Sequence, residues 1–414
     1  MGYPRVVITG LGVVSPNSGV GKEAFSRAIS AGVSGIRKIS LFDTAPYKVK
    51  TAGEVKDFDP QAVLGRGGLR VLDRGTKLLC CAVKTALEDA RINISEENSR
   101  TIGIAAGNTL GSLQSICDFD KVALSEGPQY VNPSLFPNTV INAQVSQASI
   151  RFKIKGFNVT ISNGFSAGLD ALIYAANFIR LGRKKIILAG GVEEFCEQTF
   201  IGFYKAGFLS EAKEGKPELS CPFDQRRNGA VLGEGAAVLV LEELDSALQR
   251  GARIFAELKG GGTFFDGSRI DKYKRGGRGL AFAMRLSLEK ASLSPQGIDY
   301  LSCGANSTAE GDELEARAVR EVFGKSPRMP AASCLKSMLG ESFSAAGALQ
   351  SAAAVCAIEK QIVPPTLNYQ EKDPLCDVAL VTEKADSRRV DNVLINAFGP
   401  GGSNTSVVIS KFTI

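Results

Sequence analysis

Asn158-Val-Thr-Ile-Ser-Asn-Gly-Phe-Ser-Ala-Gly-Leu-Asp-Ala171 is the stretch on which the fold turns. Its β-branched start, "NVTIS", predicts a strand, and Asn163-Gly164 predicts a tight turn. The following "SAGLDALIYAANFIRLG" predicts a buried helix built from small residues. A strand passed through a tight turn into a helix is an elbow, a shape that presents a nucleophile in many enzymes. Here the tip of the elbow is Phe165, a side chain without nucleophilic chemistry.

Outward from the elbow, strands and helices alternate. Before it come strand "RVVITGLGVV" (5–14), a helix over 22–32, a helix over 73–90 and strand "TIGIAAG" (101–107). After it come strands over 184–191 and 236–244. A second series follows: a strand near 252–262, a helix over 279–293, a strand over 298–305 and a helix over 311–324. It ends with an alanine-rich helix (343–360) and strands near 377–382 and 392–397. Such alternation predicts an α/β protein layered around buried sheets, with two halves at 1–250 and 251–414. "NGFSAGLDALIYAA" in the first half echoes "GESFSAAGALQSAAAV" in the second, which points to duplication.

Composition narrows the function. Of 414 residues 44% are hydrophobic and 22% charged, the balance of a globular protein. No run is long and apolar enough to span a bilayer, and the N-terminus has no signal-peptide pattern, so a cytoplasmic protein is expected. The nine cysteines form no CxxC pair, which argues against a zinc site or a disulfide framework. Basic residues gather at 151–155, 180–185 and 271–278 within a net charge of +6. Lacking interleaved aromatics, these clusters suit solvated faces or an acidic protein partner better than nucleic acid. The chain contains 0 histidines, which excludes a histidine base, triad or metal ligand.

Gly164-Phe165-Ser166-Ala167-Gly168 also matches G-x-S-x-G of serine hydrolases. A serine hydroxyl needs a base, and Lys336 is the candidate that remains once histidine is gone. Cys196, Cys303 and Cys334 are alternative nucleophiles for a condensing or acyl-transfer enzyme, each without a histidine to lower its pKa.

Ordered segments along nearly the whole chain resemble the β-ketoacyl synthase family. They are "VVITGLGVVSP" (6–16), "CPFDQRRNGAVLGEGAAVLVLEE" (221–243), "KSMLGESFSAAGA" (336–348), "PPTLNY" (364–369) and "NAFGPGGSN" (396–404). The resemblance implies a thiolase-like fold, with duplicated βαβαβαββ halves in a five-layered αβαβα core, working as a dimer. It implies a cysteine nucleophile at the elbow and two histidines that decarboxylate a malonyl extender carried on an acyl carrier protein. The cysteine position falls on Phe165. The first histidine motif corresponds to "GANST…D", with Gly304 at the histidine, Asn306 at a threonine that holds the phosphopantetheine arm, and Thr308 and Asp312 retained. The second corresponds to "KSMLGE", with Lys336 retained and Glu341 at the histidine, where an ion pair between them is expected. Pro400 stands where a gating phenylalanine supplies an oxyanion N–H, and proline has none to give. Losing one such donor costs about two to three orders of magnitude in rate.

A ketosynthase stripped of these groups is similar to the inactive chain length factor of type II polyketide synthases. That resemblance implies an active ketosynthase as heterodimer partner, an acyl carrier protein bearing the acyl chain, and no cofactor or metal. It also implies that 109–119 and 133–137 face the partner. Leu110, Ile116, Cys117, Leu135 and Phe136 are therefore the candidates for lining the shared tunnel or interface.

Overall fold

The computed structural model describes residues 3–213, 218–274, 276–324 and 328–414, so residue 275 of the basic cluster 271–278 lies outside it. Ten strands form the continuous path of the main sheet, and an eleventh, Gly19–Val20, pairs with the first of them. In the first half they are β1 (Val6–Ser15), β2 (Ile102–Gly107), β3 (Phe157–Ile161), β4 (Ile186–Glu193) and β5 (Gly235–Glu243). In the second they are β6 (Ala256–Phe265), β7 (Tyr300–Ser302), β8 (Ala331–Ser333), β9 (Asn392–Phe398) and β10 (Ser403–Ser410). The helices that form the layers are α1 (Arg74–Asp89), α2 (Leu113–Ser125), α3 (Ala143–Phe152) and α4 (Ala167–Arg180). They continue with α5 (Glu197–Lys205), α6 (Arg278–Ala291), α7 (Ala309–Phe323) and α8 (Ser344–Lys360).

The strand order is β8-β7-β9-β10-β6-β1-β5-β4-β2-β3. Counted outward from the centre, the first half runs 1-5-4-2-3 and the second runs 6-10-9-7-8, the same order shifted by five. The halves meet at β1 and β6, which pair antiparallel only through Val7–Glu257 and Ile8–Ala256. That short seam lets the two half-sheets face each other. One outer layer packs α1 on β1 and β5, and the other packs α6 on β6 and β10. α4 and α8 lie between the half-sheets, giving the αβαβα order of the thiolase-like fold.

The middle layer explains the echoed sequences. α8 is buried at every position from Ser344 to Ile358, so its pattern shows no amphipathic period. α4 and α8 are equivalent elements of the two halves, and their small residues let the backbones touch. A Cβ on Gly168 would sit 2.1 Å from the Ser344 carbonyl oxygen. Alanine and glycine here meet a distance requirement rather than a hydrophobic one.

Three differences from the sequence reading have local causes. The strand expected near 377–382 is not a regular strand; it makes isolated bridges, Leu380 to Ala332 and Thr382 to Thr366. Its neighbour β8 is three residues long, too short to template a ladder. β10 is fully buried but reads as polar, "SNTSVVIS". Its polar side chains find buried partners, such as Thr405 to Asp170 and Ser406 to Asn396. α2, α3, α5 and β8 are further elements that the sequence does not predict, and of these β8 is only three residues long.

The two outer sheet edges are unlike. β8 is covered, because the Ala332 N–H donates to Ala379 O and the Val381 N–H to Ala332 O, both at 2.8 Å. β3, its equivalent, has β2 on one side and no strand on the other among the described residues. Among the described residues no helix is long and apolar enough to cross a membrane.

Replacing Gly168 with Ala should destabilise the fold by about 1–3 kcal/mol through overpacking. Gly202→Ala is the control, since an added Cβ in α5 meets nothing within 4 Å. It should instead stabilise by up to about 1 kcal/mol from helix propensity. Urea unfolding of the two variants measures both signs.

Candidate functional site

β3 and α4 meet at the elbow, where Gly164 takes φ +92°, a conformation open to glycine. Phe165 follows and turns inward, with 8% of its surface exposed. Its ring meets Phe343 edge-on at 4.8 Å between centroids, Phe208 at 6.0 Å and Phe203 at 6.3 Å. Phe203 also stacks on Phe343 at 4.9 Å. A Cβ on Gly399 would lie 2.8 Å from Phe165 Cγ, so the ring rests on the backbone of the C-terminal loop. The elbow is therefore packed with aromatic carbon. Phe343 holds the equivalent place ahead of α8, at φ +47° and ψ −115°, a strained backbone for a bulky residue.

Ser166 is not poised as a nucleophile. Its hydroxyl donates to Asp170 Oδ2 at 3.0 Å, and Thr405 donates to Oδ1 at 2.8 Å. Burial raises the Asp170 pKa against these hydrogen bonds. Lys336, the base suggested for a Ser–Lys pair, is committed elsewhere.

The loop before α7 and the short helix Lys336–Leu339 form a second, polar constellation. Lys336 Nζ pairs with Glu341 Oε2 at 2.7 Å and donates to Gly304 O at 2.7 Å. Glu341 Oε1 accepts the Phe343 N–H at 2.9 Å, and Oε2 accepts from Asn306 Nδ2 at 2.9 Å. Asn306 Oδ1 in turn accepts from Thr308 Oγ1 at 2.7 Å. The ion pair expected from the sequence is thus present and buried, with its remaining valences filled. Asp312 braces the loop by accepting the N–H groups of Phe223, Asn306 and Ser307, and burial lifts its pKa to about 6 despite Arg227. At Gly304 there is no room for a side chain. A Cβ there would lie 2.8 Å from Asn396 O and 3.0 Å from the Phe398 ring.

The loop 399–402 offers no spare donor. The Gly399 N–H bonds Ser403 O at 3.1 Å, Gly401 bonds Lys272 O at 3.0 Å, and Gly402 bonds Gly399 O at 3.2 Å. Pro400 has no N–H. The three candidate thiols are equally unready. Burial raises Cys303 and Cys334 well above the usual value, and Cys196 is raised for the same reason. The Cys334 thiol donates to Ala305 O at 2.8 Å.

Several residues at the site went unnoticed in the sequence. Phe203 and Phe208 come from "FYKAGF", ahead of any motif, and only the echo of "GFSAG" in "SFSAAG" hinted at Phe343. Glu193, ending β4, accepts the N–H groups of Thr109 and Leu110 at 3.1 and 2.9 Å and the Ser344 hydroxyl at 2.6 Å. It ties the elbow layer to the segment that starts α2. Burial pushes its pKa up to about 7.

The five outer candidates divide. Leu110 is half-buried against the aromatic cluster of Phe165. Ile116 and Cys117 are half-buried on α2, which has no buried residue. Leu135 and Phe136 are 37% and 58% exposed, and Phe136 meets Phe119 of α2 at 6.0 Å. α2 and 133–139 thus form one apolar surface on the molecule's outside. Among the described residues no cluster of acidic or sulfur side chains could hold a metal ion.

Residues 4–247 match the β-ketoacyl synthase N-terminal domain, and residues 255–370 match the β-ketoacyl synthase C-terminal domain. The chain is 36% identical to a 3-oxoacyl-[acyl-carrier-protein] synthase 2 of Coxiella burnetii, covering 98% of each. It is 34% identical to the protein of that name from Vibrio harveyi, covering 99% of each. Among solved structures it is similar to the ishigamide ketosynthase/chain length factor, with TM-score 0.92 and 32% identity over 99% of this chain and 100% of that one. A type II polyketide synthase acyl-carrier protein in complex with its ketosynthase superposes with TM-score 0.89 at 29% identity, over 99% of this chain and 100% of that one. The chain belongs to the β-ketoacyl synthase family.

Truncating Phe165 to Ala should cost about 3–5 kcal/mol in urea unfolding, because the cluster cannot close over the lost ring. Phe165→Leu should cost less. Glu193 gives a pH prediction. Its folded pKa of about 7 lies above the usual 4.5, so the unfolded chain ionises first and stability falls as pH rises through that window. Glu193→Gln should flatten this fall, gaining about 1–3 kcal/mol at pH 8 relative to pH 5. Unfolding midpoints at the two pH values, for both proteins, check the sign.

Proposed function

We propose that this member of the β-ketoacyl synthase family is a non-catalytic, chain-length-factor subunit. In this reading it pairs with a catalytic ketosynthase and shapes the tunnel into which a carrier-bound polyketide or polyene chain grows. The observation that carries the reading is Phe165. It stands at the position matching the family's cysteine, and its ring occupies the volume that an acyl thioester on that cysteine would need. Three further features agree. Gly304, at the first histidine position, is walled by Phe398. Glu341, at the second, is neutralised by Lys336. The loop around Pro400 has every N–H committed or missing.

The open edge of β3 and the apolar surface of α2 and 133–139 support a partner there. Leu110, Ile116, Cys117, Leu135 and Phe136 are then interface or tunnel residues. An acyl carrier protein would deliver its phosphopantetheine-bound chain to the partner's cysteine, not to this chain. The halves 1–250 and 251–414 and a cytoplasmic site of action belong to the same proposal. Relatives named as synthases keep open a second reading, a condensing or acyl-transfer enzyme with an unorthodox nucleophile. The raised pKa values of Cys196, Cys303 and Cys334 disfavour it.

Coexpression with a Cys-His-His ketosynthase, followed by native mass spectrometry and acyl-carrier-protein labelling, tests the proposal. The expected result is a one-to-one complex with acyl label on the partner alone. A homodimer of this chain with condensing activity of its own would overturn it. Phe165→Cys should not confer synthase activity, because Gly304, Glu341 and Pro400 remain. Turnover by that single variant would show the assignment of the site to be wrong.

A further inference from the structure

The duplication supplies an internal control for a second site. Each half has a cleft where its first outer helix ends beside the chain entering the other half's first strand. One lies between the end of α1 and the residues leading into β6, with a volume of 340 Å³. Its counterpart lies between the end of α6 and the residues leading into β1, with a volume of 830 Å³. The larger cleft is also bounded by the end of α4.

The two clefts differ in how their cations are compensated. In the smaller one, Arg250 pairs with Glu242 and Arg253 with Glu359, each at 2.8 Å. Lys22, stacked on Phe255 of that cleft, pairs with Asp89 at 2.8 Å. Among the described residues only the exposed Arg91 of its cations lacks a carboxylate within ion-pair distance. In the larger cleft, which Ile414 also lines, Arg5 pairs with Glu257 at 2.8 Å. Arg180, Lys259 and Lys290 have no carboxylate within ion-pair distance among the described residues. Arg180 is half-buried and directs Nη2 at the carbonyl oxygens of Leu258 and Lys259, at 2.9 and 3.0 Å. A guanidinium held this way keeps its charge; Glu257 offsets the cost of its burial only from beyond ion-pair distance. Arg180 and Lys290 each lie in the last turn of a helix, where the dipole accepts a cation but supplies no counter-ion.

The remaining wall is mixed, with Asn177, Ser292 and Thr413 beside an apolar side where Tyr3 and Leu181 are 75% and 62% exposed at the cleft. Cationic groups set against open apolar surface, in a volume suited to a small organic molecule, define the ligand class. We propose that this cleft binds an amphipathic organic anion. Its carboxylate or phosphate head would meet Arg180, Lys259 and Lys290, and its apolar body would cover Leu181 and Tyr3. The site lies among the ends of α4 and α6 and the entry to β1, and it uses none of the residues around Phe165. It does not rest on the functional reading above.

The test is isothermal titration calorimetry of the full chain, with any partner it copurifies with, against decanoate, decyl phosphate and decanol. Saturable one-to-one binding of an anionic probe but not of decanol is expected, weakening as salt is raised. Whichever anion binds more tightly identifies the head group as carboxylate or phosphate. The double variant Lys259→Gln/Lys290→Gln changes side chains outside the core and should raise Kd by about tenfold or more. Arg253→Gln, in the ion-paired cleft, should leave Kd unchanged. Decanol binding as tightly as decanoate, an unchanged Kd in the double lysine variant, or no saturable binding of either anion would each overturn the proposal.

Discussion

Two helices touching backbone to backbone at the centre of the molecule set most of its structure. α4 and α8 must lie between two facing half-sheets, and Gly168 against the Ser344 carbonyl leaves no space for even one methyl group. That contact accounts for the alanine, glycine and serine of both helices, for the missing amphipathic period of α8 and for the echoed sequences. It also fixes the elbow. Because the helices start side by side, the residues just ahead of them, Phe165 and Phe343, project into one shared space and pack edge to face. Whatever stands at Phe165 is therefore held by the central layer, with little freedom of its own.

Around that elbow most polar groups are satisfied internally, the buried Ser342 and Ser403 hydroxyls being exceptions among the described residues. The aromatic side is closed by Phe203, Phe208 and the Gly399 backbone. On the polar side, a buried ion pair is tolerable only when its other hydrogen-bonding capacity is met. Asn306, the Phe343 N–H and the Gly304 carbonyl meet it around Glu341 and Lys336. A reactive centre needs an unspent nucleophile, a base near neutral pKa and donors aimed at developing charge. Here the serine donates to Asp170, the lysine is paired, and the N–H groups of the 399–402 loop are taken by Ser403, Lys272 and Gly399 carbonyls. A tunnel-shaping role in a heterodimer is consistent with such a saturated interior.

Equivalent places in the two halves serve different ends, and the differences mark where the molecule can meet something else. β8 is sealed by 379–381, whereas β3 has no strand on its outer side among the described residues. An open strand edge is a template for another chain unless it is blocked. In the same way, the cations of one inter-half cleft are mostly ion-paired, and three in the other have no carboxylate within ion-pair distance among the described residues. A duplicated fold makes these asymmetries readable, since each half supplies the comparison for the other.

The sequence by itself determined the layering, the duplication and the elbow, because strand, turn and buried-helix signals are local and occur in order along the chain. It also removed histidine chemistry outright and named Phe165, Gly304, Glu341 and Pro400 as the positions to inspect. The Lys336–Glu341 pair was legible because the two residues are five apart on one short motif. Tertiary structure alone decided what surrounds Phe165, since Phe203, Phe208, Phe343 and Gly399 converge from three distant segments. It alone revealed β10, whose serines and threonines look like a loop until their buried partners are seen. The unequal edges and clefts were likewise invisible, because whether a carboxylate reaches a cation depends on where the chain returns in space. Local propensity is written residue by residue; the balancing of charge and volume is settled only when segments far apart in sequence meet.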